Sequence, residues 1–435
     1  MTPRRLAVKA LIHQEQAGYA NLVLDAELKK CDPPMNTRDA AFAARIFYTT
    51  LERLPLLDYT IDRYTKKPVA KLDAPVRAVL RSGLAQAKYM QVPMSAAVNE
   101  SVRLTKVLGK SSAAGMVNAV LRKAVVTEVH EDDFAAPLQR LGTYYCLSPA
   151  VAKLLYNQYG EEAFAMAAAF YERPATAIRV NTLRTTDEEL TDLLHTEGHS
   201  VRPGPWPHAL LVEFNGSPEL SDRGLFHVQG LASQFAALCV GAQPGQKVAD
   251  LCAAPGGKSL TLAECMQNQG KLISGEYVES RVPLLRKAFA RCGVTCAEAV
   301  QNDAAQLRSD WGKFDRILCD VPCSGLGVIA KKPDIRYKDL DGIENLLLSQ
   351  QKILQNGADL LAENGRLVYS TCTVNRDENE EQVKIFLENN PRFHVAVPAL
   401  QLPGMQQGEY GTLFLPHKTA TDGFFAAILE TESTQ

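Results

Sequence analysis

What is missing narrows the chain first. No run of eighteen apolar residues occurs among its 435, so no stretch reads as a membrane-spanning helix. The opening MTPRRLAVKALIHQ is basic but has neither an apolar core segment nor a cleavage site, which predicts a cytoplasmic protein rather than a secreted one. Ten cysteines include no C-x-x-C pair, and the four-residue spacings Cys292/Cys296 and Cys319/Cys323 have no second cluster, so no metal site is expected. Reduced thiols are the better reading, and reduced thiols are free to act as nucleophiles. The chain also lacks G-x-G-x-x-G. Its GGKS, beginning at Gly256, is not a phosphate loop of the Walker type, because Cys252 stands where the first glycine would have to be.

Net charge is low too, 47 Lys+Arg against 49 Asp+Glu, but it is unevenly spread. Residues 1–123 carry 20 basic and 10 acidic side chains, leaving 47 − 20 = 27 against 49 − 10 = 39 for the remainder, so a +10 module precedes a −12 one. Such a module suits a polyanionic partner, since phosphate contacts supply much of nucleic-acid affinity. With 46% hydrophobic and 22% charged residues, the chain has the composition of an ordinary soluble globular protein of two or three domains.

Apolar residues spaced by three and four predict helix after helix up to residue 125, at residues 4–16, 39–64, 74–90, 96–108 and 113–125, punctuated by Pro68, Pro75 and Pro93. This defines an all-α N-terminal domain over 1–130, with a seam at about 126–145. A small α/β subdomain is expected over 145–235: a strand at TAIRVNT (from Thr176), a helix at DEELTDLLHTEG (from Asp187), a Pro/Gly-rich connection at VRPGPWP (from Val201), and a short strand near ALLVEF (from Ala209). Arg179 and Asn181 are candidates for RNA contact there, or for a buried structural role.

Residues 236–435 alternate strand and helix. Strands near 247–251, 271–277, 297–302, 315–321, 366–371 and 423–430 predict an α/β doubly wound, Rossmann-like sheet, and GTLFLPHKTATDGFFAAILE (from Gly411) predicts a terminal antiparallel hairpin without a helix. The stretch VADLCAAPGGKSLTLAE, Val248 to Glu264, organises this part. It reads as strand, tight loop and helix, with small residues that let a ligand approach the backbone and helix N–H groups that receive an anion. Glu276, 20 residues past Gly256, lies where a carboxylate would bond ribose hydroxyls. Ligands in such sheets bind outside the carboxyl ends of the strands. Loop 252–258, Glu276, Asp303, the segment Asp320–Gly325 and Cys372 all fall at that edge.

The strings LCAAPGGK, DVPCSG (Asp320–Gly325) and YSTCT (Tyr369–Thr373) resemble those of the S-adenosylmethionine-dependent RNA cytosine-C5 methyltransferases, over roughly residues 145–435. The helical part, with AAVNESV and VNAVLR as landmarks, is similar to the RNA-binding fold of the NusB antitermination factor. Together they resemble the bacterial 16S ribosomal RNA cytosine-C5 methyltransferase B family. The resemblance implies S-adenosylmethionine as cofactor, held by Cys252, Ala253, Ala254, Pro255, Gly256, Gly257 and Lys258, with Glu276 on the ribose, Asp303 by the adenine, and Asp320 close by. It implies that 145–235 is an RNA-binding subdomain, that 16S ribosomal RNA is the substrate and that the protein is a monomer. Cytosine C5 is a poor nucleophile, and thiolate addition at C6 makes it an enamine able to accept a methyl group. The RNA family resembled here uses the Thr-Cys cysteine, which gives that attack to Cys372, whereas the DNA cytosine methyltransferases use the Pro-Cys cysteine, which would be Cys323. With Cys372 attacking, Cys323 is placed to assist departure, Asp320 is the candidate by N3 and the exocyclic amine, and Lys258 is a candidate positive neighbour. Val321, Thr373 and Glu276 depart from the commonest residues of the family without removing a functional group. KKPDIRY, from Lys331, matches a family segment near the substrate or is a solvated turn. A transfer-RNA substrate, and a non-catalytic RNA-binding factor, remain alternatives.

Overall fold

The computed structural model describes residues 1–16, 20–173, 175–214 and 222–431. They form two compact units, Met1–Tyr171 with Lys331–Asp339, and Glu172–Ala330 with Leu340 to the end of the chain.

The first unit is helical. Helix α1 (Pro3–Gln14) opens where the Thr2 hydroxyl accepts the Arg5 N–H and Pro3 fills the first position, where a missing N–H costs nothing. It is followed by α2 (Ala20–Lys29), α3 (Thr37–Leu51), α4 (Leu54–Asp62), α5 (Ala74–Tyr89), α6 (Met94–Val107), α7 (Ala114–Val126), the single turn α8 (Pro137–Gln139), α9 (Pro149–Tyr159) and α10 (Glu162–Ala169). The stretch expected to be helical over 39–64 is two helices, because Pro55 begins a new helix in α4. Helix α2 was not anticipated. Only Ala20 and Leu24 of its apolar residues are buried, and its buried Glu27 carboxylate is held by His13 and Lys30 at 3.0 and 2.6 Å. The core joins Leu6, Ile46, Phe47, Val79, Leu84, Val117 and Leu121. Gly83 lets α5 and α6 meet closely, since a Cβ there would lie 2.4 Å from Ser101 Oγ.

The segment Lys331–Asp339 belongs to this unit, and it is not a solvated turn. Lys331 and Lys332 are exposed, but Arg336 is wholly buried and donates to the carbonyls of Tyr145 (3.1 Å) and Phe170 (2.7 Å), its guanidinium 4.2 Å from the Tyr171 ring centre. The Tyr337 hydroxyl donates to the Leu51 carbonyl at 2.5 Å, and the Ser148 N–H donates to the Arg336 carbonyl at 2.8 Å.

The second unit holds two sheets. In the small one, β1 (Thr176–Val180), β2 (Ser200–Pro203), β3 (Ala209–Glu213) and β4 (Phe226–Val228) pair antiparallel in the order β2-β3-β1-β4, with α11 (Asp187–Thr196) capped reciprocally by Thr186 and Glu189. Strand β2 lies in the stretch read as a connection. It is an edge strand, where a terminal proline removes no needed ladder donor.

The large sheet follows α12 (Leu231–Cys239). Its elements are β5 (Lys247–Asp250), α13 (Gly257–Cys265), β6 (Lys271–Glu276), α14 (Val282–Cys292), β7 (Ala297–Gln301), β8 (Phe314–Asp320), α15 (Ile343–Leu360), β9 (Leu361–Thr371), α16 (Glu380–Asn389), β10 (Phe393–Ala396), β11 (Gln406–Gln407), β12 (Thr412–Phe414), α17 (Pro416–Thr419) and β13 (Phe424–Thr431). The strand order is β11-β12-β13-β9-β8-β5-β6-β7, with β10 also on β13. Strands β9, β8, β5, β6 and β7 are parallel, and β13 runs antiparallel beside β9. The terminal hairpin is therefore present, with one helical turn, α17, between its strands. A parallel sheet whose strands all end on one edge brings together loops that are far apart in sequence, and the distinctive residues lie on that edge.

Candidate active site

Strand β5 delivers the chain to a loop whose backbone only glycine adopts readily. Gly256 has φ of 112°, and a Cβ there would press on Leu285 Cδ2 at 3.1 Å. At Gly257 a Cβ would meet nothing closer than 3.9 Å, so open space faces the first turn of α13, whose N-terminal N–H groups have no side-chain cap. Ala253 is tied to β6 through its N–H to the Gly275 carbonyl at 2.8 Å, Cys252 and Ala254 are half-buried, and Pro255 is exposed at the tip. Burial, with Cys319, Asp250, Asp320 and Glu276 around it, raises the Cys252 thiol far above its ordinary value, which makes it an unreactive wall.

Glu276 ends β6, is 6% exposed, and accepts the Val278 N–H on Oε1 at 2.8 Å, while no donor among the described residues reaches Oε2. Asp303 follows β7, half-buried, taking the Ala305 N–H and the Gln306 amide at 3.0 and 2.9 Å. Asp250, wholly buried at the end of β5, was not singled out from the sequence. Its Oδ2 accepts the Ser259 hydroxyl at 2.7 Å, its Oδ1 has no partner among the described residues, and burial lifts its carboxyl to about 7. Open space at a glycine turn, uncapped helix N–H groups and carboxylate oxygens with unused lone pairs form a donor and acceptor set that fits a nucleoside carrying an amino-acid tail.

Beside that cradle lies the reactive cluster. Asp320, at the end of β8, receives the Lys258 ammonium on Oδ2 and the Ser370 hydroxyl on Oδ1, both at 2.8 Å. Burial pulls the Lys258 ammonium down, but Asp320 and then the Cys372 sulfur outweigh it and hold the ammonium above the usual lysine value. Its Nζ lies 5.4 Å from the Phe424 ring centre. Cys323, after β8, and Cys372, after β9, are both half-buried, and their Sγ atoms are 3.2 Å apart. The hydrogen bond with Cys372, then burial, then the charges of Cys372 and Glu378 push the Cys323 thiol well up.

The structure therefore brings Lys258, Asp320, Cys323 and Cys372 into one cluster. Arg179 and Asn181 are elsewhere and take the structural role. Arg179 is buried against Glu264 at 2.7 Å, and the Asn181 amide donates to the carbonyls of Gly224 (2.7 Å) and Cys292 (2.8 Å). Sequence reasoning gave no role to the polar residues that hold the cysteine loops, Ser324, Thr373, Asn375, Glu378 and Asn379. The signal available was a hydroxyl residue directly after each cysteine.

The family described as 16S rRNA methyltransferase RsmB/F matches residues 237–430, the NusB family matches 1–125, and the ferredoxin-like domain of the RsmF/B methyltransferases matches 151–217. A probable ribosomal RNA small subunit methyltransferase B from Bacillus subtilis is 33% identical over 97% of this chain and 97% of its own. The chain belongs to the RsmB/F family of 16S rRNA methyltransferases. As an RNA methyltransferase of that family it has solved structural counterparts. The crystal structure of PH0851 covers 99% of both chains at 25% identity and a TM-score of 0.80. NSun6 from Pyrococcus horikoshii, crystallised with SFG, shares the fold at 23% identity and a TM-score of 0.59, over 65% of this chain and 97% of that one. Among the described residues no helix is long and apolar enough to cross a membrane, and no cluster of side chains is suited to a metal ion.

Proposed function

We propose that this methyltransferase transfers a methyl group from S-adenosylmethionine to C5 of a cytosine in 16S ribosomal RNA, through a covalent bond between Cys372 and C6. The observation that carries this reading is the 3.2 Å approach of Cys323 and Cys372 on neighbouring strand ends beside Asp320 and Lys258, because methylation at an oxygen or an exocyclic nitrogen needs no thiol. When bound, S-adenosylmethionine supplies an electrophilic methyl on a sulfonium. Its nucleoside and amino-acid tail are assigned to the 252–258 loop, Glu276, Asp303 and Asp320.

The chain's own residues supply the rest. The Cys372 thiolate adds to C6, and electron density moves through the ring toward N3 and C5. Asp320 accepts from the exocyclic amine, and the Lys258 ammonium it holds is a donor for the charge that develops on the ring. Once C5 carries the methyl group, a base takes the C5 proton, the electrons of that bond restore the C5–C6 double bond, and the C6–S bond breaks to free the Cys372 thiolate, with Cys323 assisting that departure. The target base must leave its stack to reach this edge, which favours unpaired RNA. In support, a relative of this chain is named for the ribosomal small subunit, and a structural neighbour was crystallised with SFG, an analogue of S-adenosylmethionine.

The test is incubation with methyl-labelled cofactor and separated 16S ribosomal RNA, transfer RNA and protein, followed by nucleoside analysis. Label in 5-methylcytidine from the 16S fraction is the expected outcome. Label in transfer RNA, or on any atom other than C5, sinks the reading.

A further inference from the structure

Each of the two cysteines is followed by a hydroxyl residue, and the hydroxyls of Ser324 and Thr373 meet at 2.8 Å. Their protons can be ordered. The Asn375 N–H donates to Thr373 Oγ1 at 3.2 Å, and the Ser324 hydroxyl donates to Glu378 Oε1, which leaves Thr373 donating to Ser324. Glu378 is wholly buried and is the hub of this bridge. Its Oε1 also takes the Asn375 amide at 3.0 Å, and its Oε2 takes the Ser324 N–H at 2.7 Å and the Gln350 amide at 3.1 Å. Asn379 fixes the Cys372 side, accepting the Thr371 hydroxyl at 2.5 Å and donating to the Thr373 carbonyl at 3.1 Å. The Gly327 N–H closes the assembly on the Cys372 carbonyl at 3.0 Å.

A buried carboxylate is a costly way to tie two loops together, because its desolvation must be offset by the donors it gathers. Its four partners are all donors, two on each oxygen, and a neutral amide would turn an NH2 group toward one pair of them, so the carboxylate suits this tie and its charge acts on the neighbouring groups as well. The groups that interact with the thiol pair are Lys258 from α13, Tyr369 from β9, and Glu378 from the segment after Cys372. They are not symmetrically disposed. Glu378 bonds the residue adjoining Cys323 through both its N–H and its hydroxyl, whereas the Lys258 ammonium feels the charge of Cys372.

We propose that Glu378 is a positioning residue that locks the Cys323 and Cys372 loops together and, through its negative charge, keeps the shared proton of the thiol pair on Cys323 so that Cys372 is the reactive sulfur. The role rests on the methyl-transfer reading above, but its test does not.

The full-length protein, without RNA or cofactor, is alkylated with iodoacetamide at pH 7.5, and the two cysteine peptides are quantified by mass spectrometry over time. Thiolate character sets the rate. Cys372 is expected to react faster than Cys323 in the wild type. Glu378→Gln, which keeps the size and removes the charge, should shrink that ratio at least fivefold, and Glu378→Asp should retain most of it. Ser324→Ala, which cuts the bridge and leaves the carboxylate, should keep Cys372 the faster. An unchanged ratio in Glu378→Gln, or faster alkylation of Cys323 in the wild type, overturns the role. If Glu378→Gln does not fold, loss of the preference in Ser324→Ala overturns it instead. A wild-type protein that methylates no RNA defeats the functional reading while leaving the alkylation ratio to decide this one. In turnover, Glu378→Gln should lower kcat tenfold or more with KM for the methyl donor unchanged.

Discussion

Cys323 and Cys372, 49 positions apart in the chain, approach to 3.2 Å between sulfurs because β8 and β9 are adjacent parallel strands that end together. Two substitutions should therefore differ in kind. Cys372→Ala should abolish both methylation and adduct formation. Cys323→Ala should still attack and should accumulate as a protein–RNA complex stable to denaturing electrophoresis. A complex trapped by Cys372→Ala instead would reverse the roles of the two sulfurs.

Glu276 offers an oxygen that no donor among the described residues occupies, beside a backbone N–H on its other oxygen. If it accepts hydrogen bonds from a ribose, Glu276→Ala should weaken S-adenosylmethionine binding by about 1.5–3 kcal/mol, the range for hydrogen bonds to charged groups. Calorimetry gives the number directly, and an unchanged affinity would remove Glu276 from the cofactor site.

The basic helical unit makes a salt-dependent prediction. Lys66 and Lys67 are exposed, and no ion pair holds them among the described residues. If this face meets RNA phosphates, replacing both by alanine should lower the slope of log affinity against log salt by about 0.7 for each phosphate of single-stranded RNA that a lysine no longer neutralises, with cofactor affinity unchanged. An equally steep slope in the variant argues that this face does not touch RNA. Point variants are preferable to deleting the helices, because deletion would strip the Tyr337 hydroxyl of its acceptor, the Leu51 carbonyl.

Arg179 and Glu264 yield a stability prediction with a definite sign. Burial lifts the Glu264 carboxyl to about 7, with Arg179 pulling the other way. A carboxyl raised above its ordinary 4.5 favours the fold most when protonated, so its contribution is full at low pH and is lost as pH rises from about 4.5 toward 7. Arg179→Met removes the pull and leaves a buried unpaired carboxylate, at a cost of about 3–5 kcal/mol near pH 8. Urea titrations of variant and wild type should show a smaller difference at pH 5.5, where Glu264 takes up a proton. His227, 3.5 Å from the same carboxylate, is held near 4 by burial, so it is neutral in the native protein at both values. An equal difference at both pH values would falsify the assignment.

The order of strands and helices was legible because the large sheet is parallel. Its strands are apolar runs separated for the most part by amphipathic helices, and each ended within a few residues of its expected place, although β9 begins earlier than expected, at Leu361. The cluster was legible for a related reason, since strand-end residues of such a sheet share one edge whatever their separation in sequence. What escaped were features decided by tertiary partners. Helix α2 buries too little apolar surface to announce itself, β4 is three residues long, and Arg179 stood open between RNA contact and a buried role until Glu264 was found facing it. The bridge from Ser324 through Thr373 to Glu378 could not be read from spacing, because it depends on two loops meeting.

The membership of residues 331–339 in the helical unit has a consequence for biosynthesis. Their seat is formed by Leu51, Tyr145, Ser148 and Phe170, yet about 160 further residues must leave the ribosome before Arg336 exists to fill it. At about 5–20 residues per second, the earlier part of the unit waits on the order of ten to thirty seconds with the carbonyls of Tyr145 and Phe170 lacking that donor. The first unit encoded is thus not complete until much of the second has been synthesised. A nascent chain stalled before residue 331 should be more open to protease around residues 145–171 than one stalled beyond residue 340 and clear of the exit tunnel.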